Sequence, residues 1–429
     1  MNDRIFDVLL KIQFMRLSKQ TLAICLFLAP VASFAQVNAT DSPAQQAQLN
    51  TITTAVPFLQ IAPDSRCGAM GDAGVAVSPD ANSGFWNPAK LAFIKTDMEA
   101  SLSYAPWLRA LVNDMSLAYL SVTKKLNKRQ AFAGSLRYFT LGNITFTDES
   151  GQVIRDFKPA EWALDASFGQ QFTDKFSGGI STRFVNSNLT GGTNVLGADS
   201  KPGRSVAADV ALFYSNDDIK LGKKDGVWSL GMNISNIGAK MRYTNTDERD
   251  FIPANLKLGT ALTTMLDEYN ALTFALDFNK LLVPTPPRYA DNGTDSVLYG
   301  IDPNVGVATG IVQSFYDAPG NLDNDGNYVS GSAFVEELRE VNISGGMEYM
   351  YTDQFAFRTG YFYEHYTKGN RQFITLGAGL RYEVITIDMS YLISTTQNNP
   401  LANTLRFTLR LALDGNSGGN GGEEGIPTE

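Results

Sequence analysis

Cysteine and histidine are nearly absent from this chain, which limits the chemistry it can perform. Among 429 residues there are two cysteines and one histidine: Cys25, Cys67 and His365. Cys25 falls in a segment that we expect to be removed on export. The single remaining thiol excludes an intramolecular disulfide, and with only one imidazole a Cys/His metal site is excluded too. A Ser-His-Asp hydrolase would have to use His365, which alternation places on the outer face near a rim. We therefore predict no catalytic residue, no metal and no cofactor.

Charged residues are also scarce, at 18% of the chain, and acidic residues outnumber basic ones by 44 to 35. The net charge of -9 disfavours nucleic acid as a partner, because basic surfaces supply most of that affinity. Long apolar runs are missing as well. No stretch after residue 36 approaches the roughly 20 apolar residues that a membrane helix needs, so we expect no transmembrane helix in the exported chain.

The N-terminal region has the three parts of a secretory signal. Residues 15–19 are basic, residues 21–31 are apolar, and residues 33–35 place small side chains at the two positions that a signal peptidase reads. We predict cleavage before Gln36, and residues 1–14 look like a mis-assigned start. An uncleaved anchor helix is the alternative, which the short apolar run disfavours.

In place of helices the chain has alternation. From about residue 97, apolar and polar residues alternate with the period of two that predicts strands. In residues 403–413 one face is apolar, while Thr and Arg occupy the other. Arginines opposite large apolar side chains indicate lipid outside and a polar interior, whereas a soluble barrel reverses this pattern. We predict an all-β fold, a transmembrane antiparallel β-barrel. A soluble sandwich remains the alternative.

The alternation predicts fourteen strands, an even number as in bacterial single-chain barrels. The connections between them alternate between short turns and longer loops, the longest spanning about 280–340. Short turns lie in the periplasm in such barrels, which would place both chain ends there. The predicted strands are 97–105, 114–123, 130–140, 161–172, 175–186, 204–215, 226–236, 254–265, 270–279, 341–350, 354–364, 371–383, 384–394 and 403–413.

Ahead of the barrel lies a Gly/Ala-rich stretch that lacks alternation. Residues 65–76 read Ser-Arg-Cys-Gly-Ala-Met-Gly-Asp-Ala-Gly-Val-Ala, and residues 84–92 contain a Phe-Trp-Asn-Pro-Ala block. Glycines permit tight turns, and Asn-Pro favours a bend. We predict a plug or hatch for the barrel, although a cap that only stabilises it is an equal alternative. The motif residues are Gly68, Gly71, Gly74, Trp86, Asn87 and Pro88.

The expected organisation therefore has five parts. They are a signal peptide at 1–35, a flexible segment at 36–56, a plug or hatch at 57–96, a barrel at 97–413 and a Gly-rich acidic tail at 414–429. The tail is unusual for an outer-membrane barrel, because the chain does not end on a strand-terminal aromatic residue.

The two motif stretches and the C-terminal strands resemble the PorV (LptO) family, the outer-membrane barrels of the Bacteroidota type IX secretion system, with a FadL-like fold. The resemblance covers roughly residues 55–413. It implies a location in the outer membrane of Gram-negative Bacteroidota, in contact with its lipid, and a partner role instead of an enzymatic one. Such proteins accompany a translocon barrel similar to SprA, bind the C-terminal signal domains of cargo, and pass the cargo to a surface protease similar to PorU.

Two other functions remain open from the sequence. A FadL-like channel for hydrophobic compounds would need an apolar pocket beside a movable hatch. The side chains that alternation places toward the lumen are small and polar, which disfavours such a channel. A lipid A deacylase is implied by the LptO name and opposed by the missing triad.

The long loop contains the candidate contact residues. Residues 281–289 are apolar and stiffened by three prolines, which lowers the entropy lost on docking. We predict partner contact through Leu282, Val283, Arg288 and Tyr289, with a rigid loop base as the alternative. Residues 321–327 imitate the start of a calcium loop, but Ser332 stands where a bidentate Glu belongs. Residues 333–340 have the spacing of a short helix over the barrel mouth or on a partner.

Overall fold

The computed structural model describes residues 49–108, 114–147, 150–192, 194–195, 198–244, 249–290, 296–323, 327–396 and 404–413. The expected signal peptide, most of the expected flexible segment and the acidic tail lie outside these residues. No helix among the described residues has the length and apolar character needed to cross a membrane.

The described residues form twenty strands, numbered in chain order. They are β1 (Met98–Pro106), β2 (Met115–Asn127), β3 (Gln130–Leu141), β4 (Ile144–Thr147), β5 (Val153–Phe157), β6 (Ala160–Thr173), β7 (Phe176–Asn188), β8 (Asn194–Val195), β9 (Ala198–Asp199), β10 (Gly203–Leu221), β11 (Lys224–Gly238), β12 (Asn255–Met265), β13 (Asn270–Leu281), β14 (Arg288–Tyr289), β15 (Val297–Tyr299), β16 (Val341–Tyr351), β17 (Phe355–Tyr363), β18 (Gln372–Tyr382), β19 (Ile385–Ser394) and β20 (Thr404–Leu413).

Fourteen of these strands close into one antiparallel barrel, which confirms the predicted fold class. The order around the barrel is β1-β2-β3-β6-β7-β10-β11-β12-β13-β16-β17-β18-β19-β20, and β20 pairs back onto β1. Closure leaves no strand edge unpaired, which the hydrocarbon interior of a membrane requires. The remaining six strands form three small hairpins in the connections: β4-β5, β8-β9 and β14-β15.

The two faces of the wall differ as the alternation predicts. In β20 the Arg406 side chain is 2% exposed and points inward, whereas the neighbouring Phe407 is 42% exposed on the outside. The same outward pattern of large apolar side chains recurs in other strands, as at Leu120, Phe274 and Leu376. An apolar outside around a polar inside is the arrangement expected for a wall that faces lipid.

The connections separate the barrel into a turn end and a loop end. Met98 and Leu413 pair at the turn end, where the connections are short. The β16-β17 turn has three residues between the paired Tyr351 and Phe355, and Thr352 and Asp353 are both at positive φ. The three small hairpins and the helices Val307–Gln313 and Ser332–Arg339 belong to loop-end connections.

The chain before β1 runs through the lumen, and we call residues 57–97 the inner segment. It contains the 3-10 helices Pro57–Gln60 and Pro88–Phe93 and the single helical turns Ser65–Gly68 and Ser83–Trp86. The chain enters it from the loop end, because the Asn50 backbone N–H donates to the Thr367 carbonyl (3.0 Å) and that of Ala55 to the Phe251 carbonyl (2.9 Å). The two chain ends lie outside the described residues, so their predicted place in the periplasm stays a prediction. The pattern of strands and connections predicts the two ends of the barrel, but it does not predict the path of the chain that precedes β1.

Candidate functional site: inner segment and loop-end surface

Motif glycines allow the inner segment to pass close to the wall and to itself. Gly71 has φ +67°, and a Cβ there would lie 2.5 Å from the Tyr361 carbonyl oxygen in β17. A Cβ on Gly74 would overlap the Trp86 ring. Only glycine tolerates both the left-handed backbone and the close approach. The predicted tight turn is thus present at Gly71, whereas the glycine at position 74 leaves room for the Trp86 ring.

The Trp-Asn-Pro part of the motif holds the inner segment in its folded form. The Trp86 indole N–H donates to Asp64 (2.6 Å), whose other carboxylate oxygen accepts from the Cys67 backbone N–H (2.9 Å). The Asn87 side-chain amide donates to the Leu212 carbonyl in β10 (3.0 Å). Pro88 opens a 3-10 helix, where its missing N–H is not needed. These residues therefore bind the segment both to itself and to the wall.

A buried ion network joins the inner segment to the strands. Arg66 makes two hydrogen bonds to Glu348 in β16 (3.0 and 2.9 Å) and an ion pair to Asp80 (3.2 Å). Glu348 also accepts from Arg358, which pairs with Asp388 at 2.7 Å. All five side chains are buried. The network links the inner segment to β16, β17 and β19.

The one described thiol, Cys67, is packed inside. It is buried against Met70 and Trp86, and burial raises the pKa of its thiol well above the ordinary value. A neutral, inaccessible thiol is a poor nucleophile. Cys67 therefore packs as a small apolar side chain.

The sole histidine lies half-buried at the loop-end rim of the barrel. His365 follows β17 in the β17-β18 connection, where its Nδ1 lies 2.9 Å from the Thr367 hydroxyl and its ring lies 4.5 Å from that of Tyr366, tilted by 36°. Burial, then Arg339 and Lys368, lower its pKa to about 4, so the imidazole is neutral at neutral pH. Within the described ranges no group of three Cys, His, Asp or Glu residues could hold a metal. Residues 324–326 of the calcium-like loop lie outside those ranges.

The predicted contact segment is divided by the fold. Leu282 and Val283 are 1% and 3% exposed, so the expectation that they face water was wrong. The chain continues β13 at the rim, where the Leu282 N–H donates to the Ala254 carbonyl (2.7 Å). Arg288 is half-buried and donates to the Gly320 carbonyl (3.3 Å). Tyr289 is 48% exposed.

Tyr289 belongs to a larger surface that the sequence did not reveal. Around the β14-β15 hairpin, Leu298, Tyr328 and Val329 are also exposed, and the rings of Tyr299 and Tyr328 stack at 5.2 Å. We call these five residues the tip surface. Strands of two or three residues are too short to show alternation, so no sequence signal marked it.

A cavity of about 470 Å³ lies at the loop end between the inner segment and the wall. Its lining mixes rings, such as Phe85 and Trp86, with charged groups, such as Lys257 and Arg406. The Lys257 ammonium lies 4.7 Å from the Trp86 ring centroid. Such a lining suits a polar or charged occupant better than a purely apolar one.

Above the cavity, the rim helix Ser332–Arg339 is anchored by a buried charge cluster. Lys280 pairs with Glu337 (3.0 Å) and Glu340 (2.7 Å), and Lys368 pairs with Glu336 (2.6 Å) and Glu340 (3.0 Å). The short helix that the spacing predicted is therefore present, and these pairs hold it at the rim of the barrel.

Known proteins of similar structure align with most of the chain. Among solved structures, it is similar to the toluene transporter TodX of P. putida (12% identity, TM-score 0.42, covering 82% of this chain and 98% of that one). It is also similar to a FadL homologue of Pseudomonas aeruginosa (13%, 0.39, 85% and 99%) and to the toluene transporter TbuX of Ralstonia pickettii (11%, 0.40, 81% and 96%). No curated protein sequence matches the chain.

One family model matches more than half of the sequence. It is described as type IX secretion system protein PorV and aligns with residues 43–288, a stretch that contains the whole inner segment and the strands through β13. With the fourteen-strand barrel, this match makes the protein an outer-membrane component of that secretion system and not a member of an enzyme family. The chain belongs to the PorV family.

Proposed function

We propose that this barrel holds secreted proteins by their C-terminal signal domains at a translocon barrel similar to SprA, and then passes them to a surface protease similar to PorU. The family match supports the secretion role. The structural observation that carries the proposal is the tip surface. Tyr289, Leu298 and Tyr328 are exposed on a loop whose base is buried and hydrogen-bonded.

An exposed apolar and aromatic patch of this kind is typical of a protein contact site. Aromatic side chains lose little conformational entropy on docking and are common anchors of interfaces. A rigid base adds to this, because little ordering remains to be done on binding. The tip surface therefore replaces the buried pair Leu282 and Val283 as the proposed contact. Arg288 helps to hold the base of this surface through its hydrogen bond to the Gly320 carbonyl.

The inner segment has a supporting role in this proposal. Its glycines and its ion pairs with the wall suit a fixed plug that seals the lumen while partners are exchanged outside. The alternative function, uptake of hydrophobic compounds, needs a movable hatch and an apolar path. The buried pairs of Arg66 and the charged lining near Lys257 and Arg406 support that alternative less.

The test replaces Tyr289, Leu298, Tyr328 and Val329 together with Ser. We expect a barrel that still shifts on heating in gel electrophoresis but recovers much less translocon or cargo on affinity purification from detergent extract. The matched control changes four exposed apolar residues at the turn end to Ser. These are Leu126, Leu221, Tyr269 and Tyr382. Full recovery of partners by the tip variant would overturn the proposed surface.

A further inference from the structure

An apolar groove lies on the outside of the barrel at the loop end. It has a volume of about 290 Å³, the lower end of the range of about 300–1,000 Å³ found for small-molecule pockets. Its lining residues are mostly apolar and come from β12, β13 and the long loop: Leu256, Leu258, Phe278, Phe315, Phe334 and Leu338.

The rim helix forms one side of this groove and is held in place from its opposite face. Glu336 points inward, where it accepts from Lys368 (2.6 Å) and from the Gly320 backbone N–H (2.7 Å). Phe334 and Leu338, four residues apart, therefore share the outward face. They are 69% and 58% exposed, so this face of an anchored helix has little covering among the described residues.

The other side of the groove is part of the lipid-facing wall. Leu258 and Phe278 occupy outward positions of β12 and β13 and are 44% and 42% exposed. The next outward residue of β13, Lys280, is covered by the rim helix and pairs with Glu337, which gives the groove one polar end. The groove is thus continuous with the surface that contacts membrane lipid and stands at its loop-end margin.

We propose that this groove binds an acyl chain of a lipid in the leaflet at the loop end. A narrow apolar groove open to the hydrocarbon region removes Phe334 and Leu338 from water when a chain enters. The Lys280–Glu337 pair marks the level at which polar groups begin. The bound lipid anchors the base of the long loop to the membrane. This inference does not depend on the proposed cargo role.

Lipid retention provides the first test. The full chain is placed in phosphatidylcholine nanodiscs, released into mild detergent and examined by native mass spectrometry for retained phospholipid. Phe334→Ser with Leu338→Ser should reduce retention about tenfold, because two apolar groove walls are lost. The control, Leu298→Ser with Val329→Ser at the tip surface, should retain lipid as the parent chain does. Equal retention by both variants, with both barrels folded, would overturn the proposal.

A second test separates a chain inside the groove from a helix that merely touches the bilayer. In a Cys67→Ala chain, Val335→Cys carries an NBD fluorophore on the helix that borders the groove, in vesicles containing phosphatidylcholine with a nitroxide on the acyl chain. We expect loss of fluorescence, and recovery when Leu258→Trp fills the groove. Quenching that Leu258→Trp leaves unchanged contradicts a bound chain. Protection from both nitroxide lipid and an aqueous quencher would instead mean that protein covers the groove.

Discussion

At the scale of single residues, the two faces of a strand should respond differently to charge. Leu409 faces outward near the middle of β20, and we expect Leu409→Arg to lower the free energy of unfolding by about 2–4 kcal/mol, the cost of a basic side chain on the lipid face at mid-membrane. Asn279→Arg, which points into the loop-end cavity, should cost much less. Refolding titrations into lipid vesicles measure both. Equal losses would show that the outer face is not in lipid.

Only the structure shows which lumen-facing position has room for an arginine. By alternation alone, Thr408 is a lumen-facing position and should tolerate Arg. The structure shows that its hydroxyl accepts from the Ser65 backbone N–H (2.9 Å) and lies 2.8 Å from the Ser103 hydroxyl. The lumen is filled at this level, so a large side chain has no room there.

The ion network gives a second prediction at this scale. Glu348→Ala leaves Arg66 and Arg358 with one carboxylate partner fewer in a buried site, and removing one member of a buried pair costs about 3–5 kcal/mol. Lys220→Ala breaks an exposed pair with Asp225 at the turn end and should change stability by about 1 kcal/mol or less. Urea-gradient unfolding in detergent compares them. A small effect of Glu348→Ala would mean that the inner segment is held by other contacts.

At the scale of elements, the long loop should be sensitive to pH. Asp317 is 0% exposed, and burial, then Glu337 and Glu340, raise its pKa to about 7. The folded loop thus holds a proton that an unfolded Asp releases near pH 4. Stability from this group is present below pH 4 and is lost as pH rises through 7. We expect protease cleavage of the loop to increase between pH 5 and about 8, and Asp317→Asn to remove that dependence.

The control for this experiment is the exposed Lys175–Asp218 pair near the turn end. Lys175→Ala should leave the pH profile of loop cleavage unchanged, since these side chains are exposed and lie at the other end of the barrel. A pH profile of Asp317→Asn that matches that of the parent chain would assign the dependence to another group.

At the scale of the whole molecule, the orientation in the membrane can be tested with thiols. Leu298→Cys lies at the loop end and Tyr269→Cys at the turn end, and both parent side chains are exposed. On intact cells we expect a membrane-impermeant maleimide to label only the loop-end variant, because long loops of such barrels face outward. Cys67 should stay unlabelled in both, since it is buried. Labelling of the turn-end variant before permeabilisation would reverse the orientation.

The sequence by itself determined the barrel. The period of two is a local property, so strand number, most strand limits within a few residues and the assignment of inward and outward faces could be predicted along the wall. The exception is β10, which continues six residues past its predicted end at 215. It also predicted the rim helix. Lipid outside and polar groups inside gave a pattern that a soluble barrel would not show.

Only the tertiary structure decided what fills the barrel and what remains exposed. Arg66 and Glu348 are 282 residues apart in the chain, and no local pattern marks them as partners. The same holds for Leu282, whose apolar character cannot distinguish a docking surface from a loop base that the chain itself covers. Burial of such residues depends on how distant segments pack together, because a loop without periodicity has no sequence pattern that indicates which side faces water.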